Sequence, residues 1–205
     1  MKLPLLYNGA LGPGRLLILC LIAHAWVLAP GSNAVEIEAD ERLAGLKVGW
    51  LAPGTVKIDG VEHETRGTYS FGAFFDFPMG RGFHYGFAVD FHHMSWDIHV
   101  GPGACVSGNT LIDISAGLKM LLAPAGGRVA LRPGVAVGFG FVRNPERLTG
   151  SNYLAIRAGM ELLVAPDSRL GLLSEVAVWY TPTGSNGEVD IIIGPLLLIR
   201  AGIVF

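Results

Sequence analysis

The sequence predicts an all-β fold, an eight-stranded antiparallel up-and-down transmembrane β-barrel that follows a cleaved N-terminal signal peptide. Three observations lead to this prediction. Residues alternate with a period of two in eight segments, short and long connections between these segments strictly alternate, and the last segment is an apolar strand that reaches Phe205. An even number of strands joined in this way is the pattern of transmembrane barrels. Closure of the sheet would also remove the aggregation-prone edge of the last strand.

The composition favours a lipid environment and gives no support for nucleic acid as a partner. Hydrophobic residues make up 51% of the 205-residue chain, charged residues only 16%, and the mean hydropathy is +0.46. Soluble domains usually contain about 25% charged residues, so this chain is poor in charge. The formal net charge of −2 provides no basic field for a phosphate backbone. A chain of this length is expected to form one domain.

The N-terminal segment has the features of a secretory signal peptide. A basic flank precedes an apolar run over residues 16–28, and this run is too short to span a membrane, since a transmembrane helix needs about 20 apolar residues. We prefer cleavage after Ala34 to cleavage after Ala25, because the earlier site would leave apolar residues exposed. Residues 1–34 are therefore expected to be the signal peptide, and residues 35–205 the barrel domain.

Eight alternating segments follow the signal peptide, as expected when strand side chains point to opposite faces of a sheet. The short connections contain Pro with Gly, Asp or Ser, which is the composition of tight hairpin turns. The predicted strands are residues 43–51, 68–77, 83–96, 111–122, 129–142, 153–164, 171–180 and 191–205. The short connections are residues 78–82, 123–128 and 165–169, and the longer ones are residues 52–67, 97–110, 143–152 and 181–190.

The composition of the second strand face distinguishes a membrane barrel from a soluble one. A soluble barrel of the lipocalin type also alternates, with its apolar face inward and a polar face in water. Here the second face is mostly Gly, Ala and Ser with five acidic and five basic residues, which suits a narrow lumen in which charges are paired. We therefore expect no water-filled pore. The predicted lumen network is Lys47, Asp76, Asp90, Asp113, Lys119, Arg132, Arg157, Glu161, Glu175 and Arg200.

The apolar strand face carries aromatic residues near the strand ends, where amphipathic rings favour the level of the lipid headgroups. In the last strand, Ile191, Ile193 and the alternate residues that follow to Phe205 are expected to face lipid. Pro133 and Pro195 each remove a backbone donor from the ladder, and we expect a bulge or a strand entry at both positions.

The signal segment, the eight alternating segments, the turn pattern and the terminal Phe205 together resemble small bacterial outer-membrane barrels of the opacity type and of the outer membrane protein A, X and W families. The resemblance covers about residues 43–205 and rests on this layout. It implies an integral outer-membrane location. In those families the terminal strand is recognised by the barrel assembly machinery, and the resemblance assigns this signal to Ile199, Ala201, Ile203 and Phe205. No peptidoglycan-binding domain follows the barrel, so we expect no anchoring role of that kind.

A pair of residues on the apolar face, His93 and Ser95, resembles the hydrolytic pair of outer-membrane lipid A deacylases, which are also eight-stranded barrels. Nucleophilic catalysis requires a base within reach of the hydroxyl and a third group that orients the base. The sequence lacks this third group on the outward face of a neighbouring strand. Trp96 also follows the serine, where that family usually has Asn. These residues are therefore a weak alternative for a catalytic site.

Asp90 and His92 share the predicted lumen face of the third strand. We expect the carboxylate and the imidazole to form a hydrogen-bonded pair, and a metal site formed by these two residues is the weaker alternative. The sequence suggests no cofactor.

Three functions are compatible with these observations. The preferred one is a non-enzymatic outer-membrane barrel, expected to be a monomer, whose extracellular loops contact the environment or stabilise the envelope. The alternatives are a narrow conduit for small hydrophobic molecules and a lipid A deacylase-like hydrolase. Eight strands place both termini in the periplasm, and the expected partners are outer-membrane lipid, lipopolysaccharide and the assembly machinery.

Overall fold

The computed structural model describes residues 42–99, 104–123, 129–143, 151–164 and 170–205, so the predicted signal peptide and its cleavage after Ala34 lie outside the described residues. No helix able to cross a membrane occurs in these ranges. The described strands are β1 (Leu43–Leu51), β2 (Gly54–Ile58), β3 (Val61–Arg66), β4 (Thr68–Gly80), β5 (Phe83–His99), β6 (Ala104–Met120), β7 (Val129–Arg143), β8 (Asn152–Val164), β9 (Gly171–Ser185) and β10 (Ile191–Val204).

Eight of these strands, β1 and β4 to β10, close into an antiparallel barrel, which confirms the predicted fold. Each pairs with its neighbours in order, and β1 completes the wall between β4 and β10. At this junction Lys47 lies opposite Gly202 of β10 and Gly72 of β4. Closure gives every wall strand two hydrogen-bonded neighbours, which is the condition for a sheet to cross lipid.

The predicted loop at residues 52–67 is instead a β-hairpin that extends the wall. Strand β2 pairs with β10 and strand β3 with β5, so that Val56 lies opposite Ile193 and Thr65 opposite Trp96. Asp59 and Gly60 form the turn between them with φ values of 51° and 81°, as a two-residue hairpin turn requires. We call the end of the barrel at this hairpin the hairpin end.

Two other predicted loops are also partly strand. Strand β5 continues to His99 and β6 begins at Ala104, while β9 continues to Ser185. The opposite end of the barrel, which we call the turn end, contains the tight turn at Arg81 between two glycines with positive φ and the last residue of β10. The wall is therefore taller at the hairpin end than the sequence suggested.

A bulge in β10 corrects the predicted orientation of its first residues. The register against β9 shifts between Ile193 and Leu196, and Pro195 lies within the shift, as predicted for this proline. The bulge reverses the alternation, so Ile191 and Ile193 point into the barrel and are fully buried, contrary to the prediction. Below the bulge, the alternate residues from Leu197 to Phe205 lie on the outward face as predicted.

Pro133 does not form a bulge, contrary to the prediction. It lies opposite Met160 of β8 without any shift of register. The ladder on its other side, with β6, stops at the pair Gly134 and Lys119 and returns only as an isolated bridge between Leu122 and Leu131. Because proline has no N–H, the ladder is interrupted at this position without a change of strand direction.

The outer surface of the barrel is apolar up to a defined level near the hairpin end. Between the turn end and the level of Tyr69 and Phe141, no Asp, Glu, Lys or Arg side chain of the described wall points outward. Beyond this level the outward side chains become polar. Large exposed apolar residues of the outer surface include Leu46, Val48, Phe71, Phe75, Phe87, Phe91, Ile114, Leu118, Val135, Val137, Phe139, Ile156, Met160, Val176, Val178, Leu197 and Ile203.

A charge placed on this apolar surface should destabilise the barrel in lipid. Val137 is 56% exposed in the middle of β7, so Val137→Arg should lower the free energy of unfolding by about 2 to 4 kcal/mol if the residue lies near the bilayer midplane. The measurement is urea unfolding from lipid vesicles.

Val137→Ala is the matched control and should insert like the wild type. Gly138→Ala, on the inward face of the same strand, is not suitable as a control. The new Cβ would lie 2.9 Å from Ser115 Cβ and 3.0 Å from the Ile114 carbonyl oxygen. Equal unfolding free energies for the Val137 arginine and alanine variants would contradict a lipid-facing Val137.

Candidate functional site

The lumen of the barrel contains an extended network of buried ion pairs. All ten charged residues that the sequence places on the second strand face point inward, and most of them are almost completely buried. Lys119 and Arg157 are the most exposed members, with side-chain exposures of only 13% and 11%. Charges removed from water in this way require partners, because desolvation of an unpaired ion is very unfavourable.

One half of the network lies toward the turn end and is built on Asp76 and Glu161. Lys119 Nζ lies 2.9 Å from Asp76 Oδ2 and 3.0 Å from Glu161 Oε1. Arg132 bridges the same two carboxylates, with Nη2 on Asp76 and Nη1 3.1 Å from Glu161 Oε2. Two cations from neighbouring strands therefore bind the same two acids.

The other half repeats this arrangement around Asp90 and Glu175. Arg200 donates from Nε to Glu175 Oε2 at 2.8 Å and from Nη1 to Asp90 Oδ1. Arg157 Nη1 donates to the second oxygen of Asp90, and its Nε lies 3.8 Å from Glu175 Oε1. Again two cations bridge two carboxylates.

Lys47 joins the two halves. Its ammonium group donates to Glu161 Oε1 in one half and, at 3.1 Å, to Glu175 Oε2 in the other. The same group lies 4.5 Å from the centre of the Phe74 ring, which also contacts Lys119. In the described part of the chain, Lys47 is the one cation whose ion pairs reach both halves, so the network is a single chain of charges across the lumen.

Asp113 is held separately from this chain by side chains of three other strands. Its carboxylate accepts hydrogen bonds from Tyr153 Oη and from Trp179 Nε1, the latter at 2.7 Å, and His92 Nε2 lies 3.3 Å from Oδ2. The His92 ring also packs against Trp179 at 5.1 Å between ring centroids. A buried acid is thus stabilised by hydrogen-bond donors on β8 and β9, with the imidazole of His92 on β5 beside it.

The expected pairing of Asp90 with His92 is not formed, because Asp90 binds two arginines and His92 approaches Asp113 instead. The two side chains lie on the same face of β5, as predicted, but they contact different groups. No group of three or more metal-ligating side chains occurs among the residues that the structure describes.

Ser70, His92 and Asp113 form a row across three strands that the sequence pattern does not predict. Ser70 lies opposite His92 across β4 and β5, and His92 lies beside Asp113, so a hydroxyl, an imidazole and a carboxylate are neighbours. The Ser70 Oγ atom has no hydrogen-bond partner, and all three side chains are buried. Nucleophilic catalysis needs a base bonded to the hydroxyl and access for a substrate, and this row offers neither.

Apolar layers close the lumen on both sides of the charges. The layer toward the hairpin end contains two of the largest buried side chains, Trp96 and Trp179. Its other members include Leu51, Val56, Met94, Leu111, Val142, Ile191, Ile193, Leu196 and Leu198. The layer toward the turn end contains Leu43, Ala130, Leu163, Leu173 and Val204, and it continues through Phe74 and Ala88, which lie among the charges.

A small cavity of about 30 Å³ remains inside the charged layer. It lies where β5 to β8 present small residues to the lumen, including Gly86, Gly117 and Gly159. Lys119 and Arg132, from two of the same strands, also line it. Small residues on one wall thus leave space beside the ion pairs.

His93 and Ser95 lie on the outer surface at the hairpin end, as predicted from their alternation. The imidazole of His93 stacks on the Tyr69 ring with 5.2 Å between the centroids and 12° between the planes. The neighbours opposite them on β6 are Thr110 and Gly108, neither of which is an acid that could orient a catalytic base.

Comparison with known proteins identifies the fold but no sequence family. The sequence matches no protein-family model and no curated protein. The structure is similar to the outer membrane protein OprG from Pseudomonas aeruginosa (TM-score 0.54, 13% identity, 81% of this chain and 97% of that chain). It is also similar to Neisserial surface protein A (TM-score 0.52, 11% identity, 80% and 95%) and to the attachment invasion locus protein Ail of Yersinia pestis (TM-score 0.50, 14% identity, 80% and 99%).

The fold is therefore that of the small eight-stranded bacterial outer-membrane barrels, which confirms the resemblance drawn from the sequence layout. These similarities have low sequence identity and describe architecture alone.

Removal of the cation that joins the two halves should strongly destabilise the barrel. Lys47→Gln leaves Glu161 and Glu175 each without one buried partner, and breaking such a pair costs about 3 to 5 kcal/mol. Urea unfolding in lipid vesicles measures the loss.

Lys57→Gln is the matched control. Lys57 lies 3.8 Å from Glu62 in the hairpin, and both side chains are more than half exposed, so this change should cost under about 1 kcal/mol. Similar losses for the two glutamine variants would show that the lumen ion pairs do not stabilise the protein.

Proposed function

We propose that the protein is an integral outer-membrane barrel without enzymatic activity, which stabilises the envelope or interacts with its surroundings through its extracellular loops. The observation that supports this proposal is the chain of ion pairs that crosses the lumen between two apolar layers, inside a wall with an apolar outer surface. Among the described residues such an interior leaves no continuous water-filled path, and such an exterior favours lipid.

In this proposal the hairpin end faces the cell exterior and both termini lie in the periplasm. Outer-membrane barrels have short periplasmic turns and longer outer loops, and the tight turn at Arg81 lies at the turn end while β2 and β3 project from the other. The outward residues Ile199, Ala201, Ile203 and Phe205 would then be available to the barrel assembly machinery. We further propose that the protein works as a monomer.

A closed lumen predicts the absence of channels. Purified protein in planar lipid bilayers should give no stable conductance steps, because the apolar layers and the ion pairs between them exclude a column of water. A known porin, inserted in the same bilayers, serves as the positive control. A stable large open state of the wild-type protein would contradict the proposal.

A conduit for small hydrophobic molecules is a second candidate, which is favoured by one observation. The interrupted ladder between β6 and β7 at Pro133 lies beside Lys119 and Gly134, and both residues line the lumen cavity. Pro133→Ala would restore the missing backbone donor. Uptake of a hydrophobic dye into liposomes by the wild type, lost in Pro133→Ala, would favour the conduit, whereas uptake no greater than in empty liposomes would exclude it.

A lipid hydrolase is the remaining alternative and has no supporting geometry. His93 is stacked on Tyr69, and its nearest partner on β6 is Thr110. Expression of the wild type should therefore leave the mass of lipid A unchanged. A mass shift that disappears in Ser95→Ala would overturn the non-enzymatic assignment.

A further inference from the structure

The junction between β1 and β10, which we call the seam, joins the first and the last strand of the wall. It pairs residues 45–51 with residues 198–204, whereas the ladder between β5 and β6 pairs residues 83–99 with residues 104–120. The seam strands are also far apart in the chain, so their association closes a very long loop, which costs conformational entropy. The seam is thus a short ladder that only contacts within the folded barrel can hold together.

On the inward face of the seam, three successive cross-strand pairs each contain a glycine. These pairs are Gly45 with Val204, Lys47 with Gly202, and Gly49 with Arg200. Contacts between directly opposite side chains are a main source of stability within a sheet, and a glycine has no side chain to supply one. At these levels the inward face therefore gains no contact between opposite side chains across the seam.

The two cations of the seam, Lys47 of β1 and Arg200 of β10, instead bind one carboxylate on β9. Glu175 Oε2 accepts hydrogen bonds from Lys47 Nζ at 3.1 Å and from Arg200 Nε at 2.8 Å. Each cation also binds a second acid, which is Glu161 for Lys47 and Asp90 for Arg200. Among the ion pairs of the described residues, Glu175 is the one acid that binds a cation on each strand of the seam.

We propose that Glu175 is a latch that keeps the seam closed, and that the wall opens first at the seam when this latch is released. Separation of β1 from β10 and β9 would move Lys47 away from Glu175. Separated charges inside the barrel regain little hydration, so breaking this pair is unfavourable. Binding of Lys47 to Glu175 would accordingly complete the closure of the barrel during assembly. The latch would act on the wall itself and is independent of any role of the loops.

The backbone N–H groups of β1 distinguish opening of the seam from unfolding of the barrel. Ala44 and Ala52 donate their N–H groups to β10. Donors alternate between the two neighbours of a strand, so the N–H groups of Leu46, Val48 and Trp50 also donate to β10. We call these three the seam amides. The amides of Gly45, Lys47 and Gly49 donate to β4 on the other side, and we call them the β4 amides.

The test compares hydrogen exchange of the wild type and of Glu175→Gln, with the full barrel folded in detergent micelles and each amide resolved by NMR. In the variant, exchange of the seam amides should accelerate at least about tenfold more than exchange of the β4 amides, because the seam opens without the rest of the barrel. In the wild type, the seam amides should already have lower protection factors than the β4 amides.

Asp76→Asn is the matched control. Asp76 is as buried as Glu175, but it binds Lys119 and Arg132, neither of which lies on a strand of the seam. This variant should therefore change the exchange of both sets of amides alike.

Equal acceleration of the two sets in Glu175→Gln would overturn the proposal, as would selective acceleration of the seam amides in Asp76→Asn. If Glu175→Gln does not fold, the wild type decides the question. Equal protection factors of its seam amides and β4 amides would contradict a seam that opens first.

Discussion

Closure of β1 onto β10 is the constraint on which the rest of the structure depends. Lipid cannot hydrogen-bond to an exposed strand edge, so the first and last strands must pair along their whole shared length. The charged network is built across this junction. Lys47 lies on β1 opposite Gly202, and Arg200 lies on β10 opposite Gly49. A Cβ at residue 49 would lie 2.7 Å from Arg200 Cγ, so the glycine gives the arginine room to lie along the wall.

The polarity of the barrel reverses at one level of the wall, and this reversal explains both the lumen and the hairpin. Below the level of Tyr69 the outside is apolar and the inside contains ion pairs, because the wall meets lipid. Above it the hairpin has Lys57 and Glu64 outside and Val56 inside, as in a water-soluble sheet. The wall of the barrel therefore passes from lipid into water. The apolar side chains inside its hairpin end close the lumen on that side of the ion pairs.

The sequence predicted the wall well and the details of its upper part poorly. Alternation identified the inward charges because a charge on the lipid side would be too costly, but it could not assign partners, since Lys47 meets Glu161 and Glu175 only through the register of distant strands. The sequence predicts a loop at residues 52–67, because the outward charges of the hairpin obscure an alternation that contains few apolar residues. The Asp59–Gly60 pair was the available signal for it. The bulge at Pro195 reversed the faces of Ile191 and Ile193, which no periodicity could anticipate.

The reversal of polarity is tested most directly by spin-label accessibility in lipid vesicles. Single nitroxide labels are placed, in a background without Cys20 and Cys105, at outward positions below the boundary (Val48 and Val137) and above it (Lys57 and Glu64). Labels below the boundary should collide with dissolved oxygen and be protected from a water-soluble nickel reagent, and labels above it should show the opposite behaviour. Equal access of the aqueous reagent to all four positions would contradict a wall that crosses the membrane.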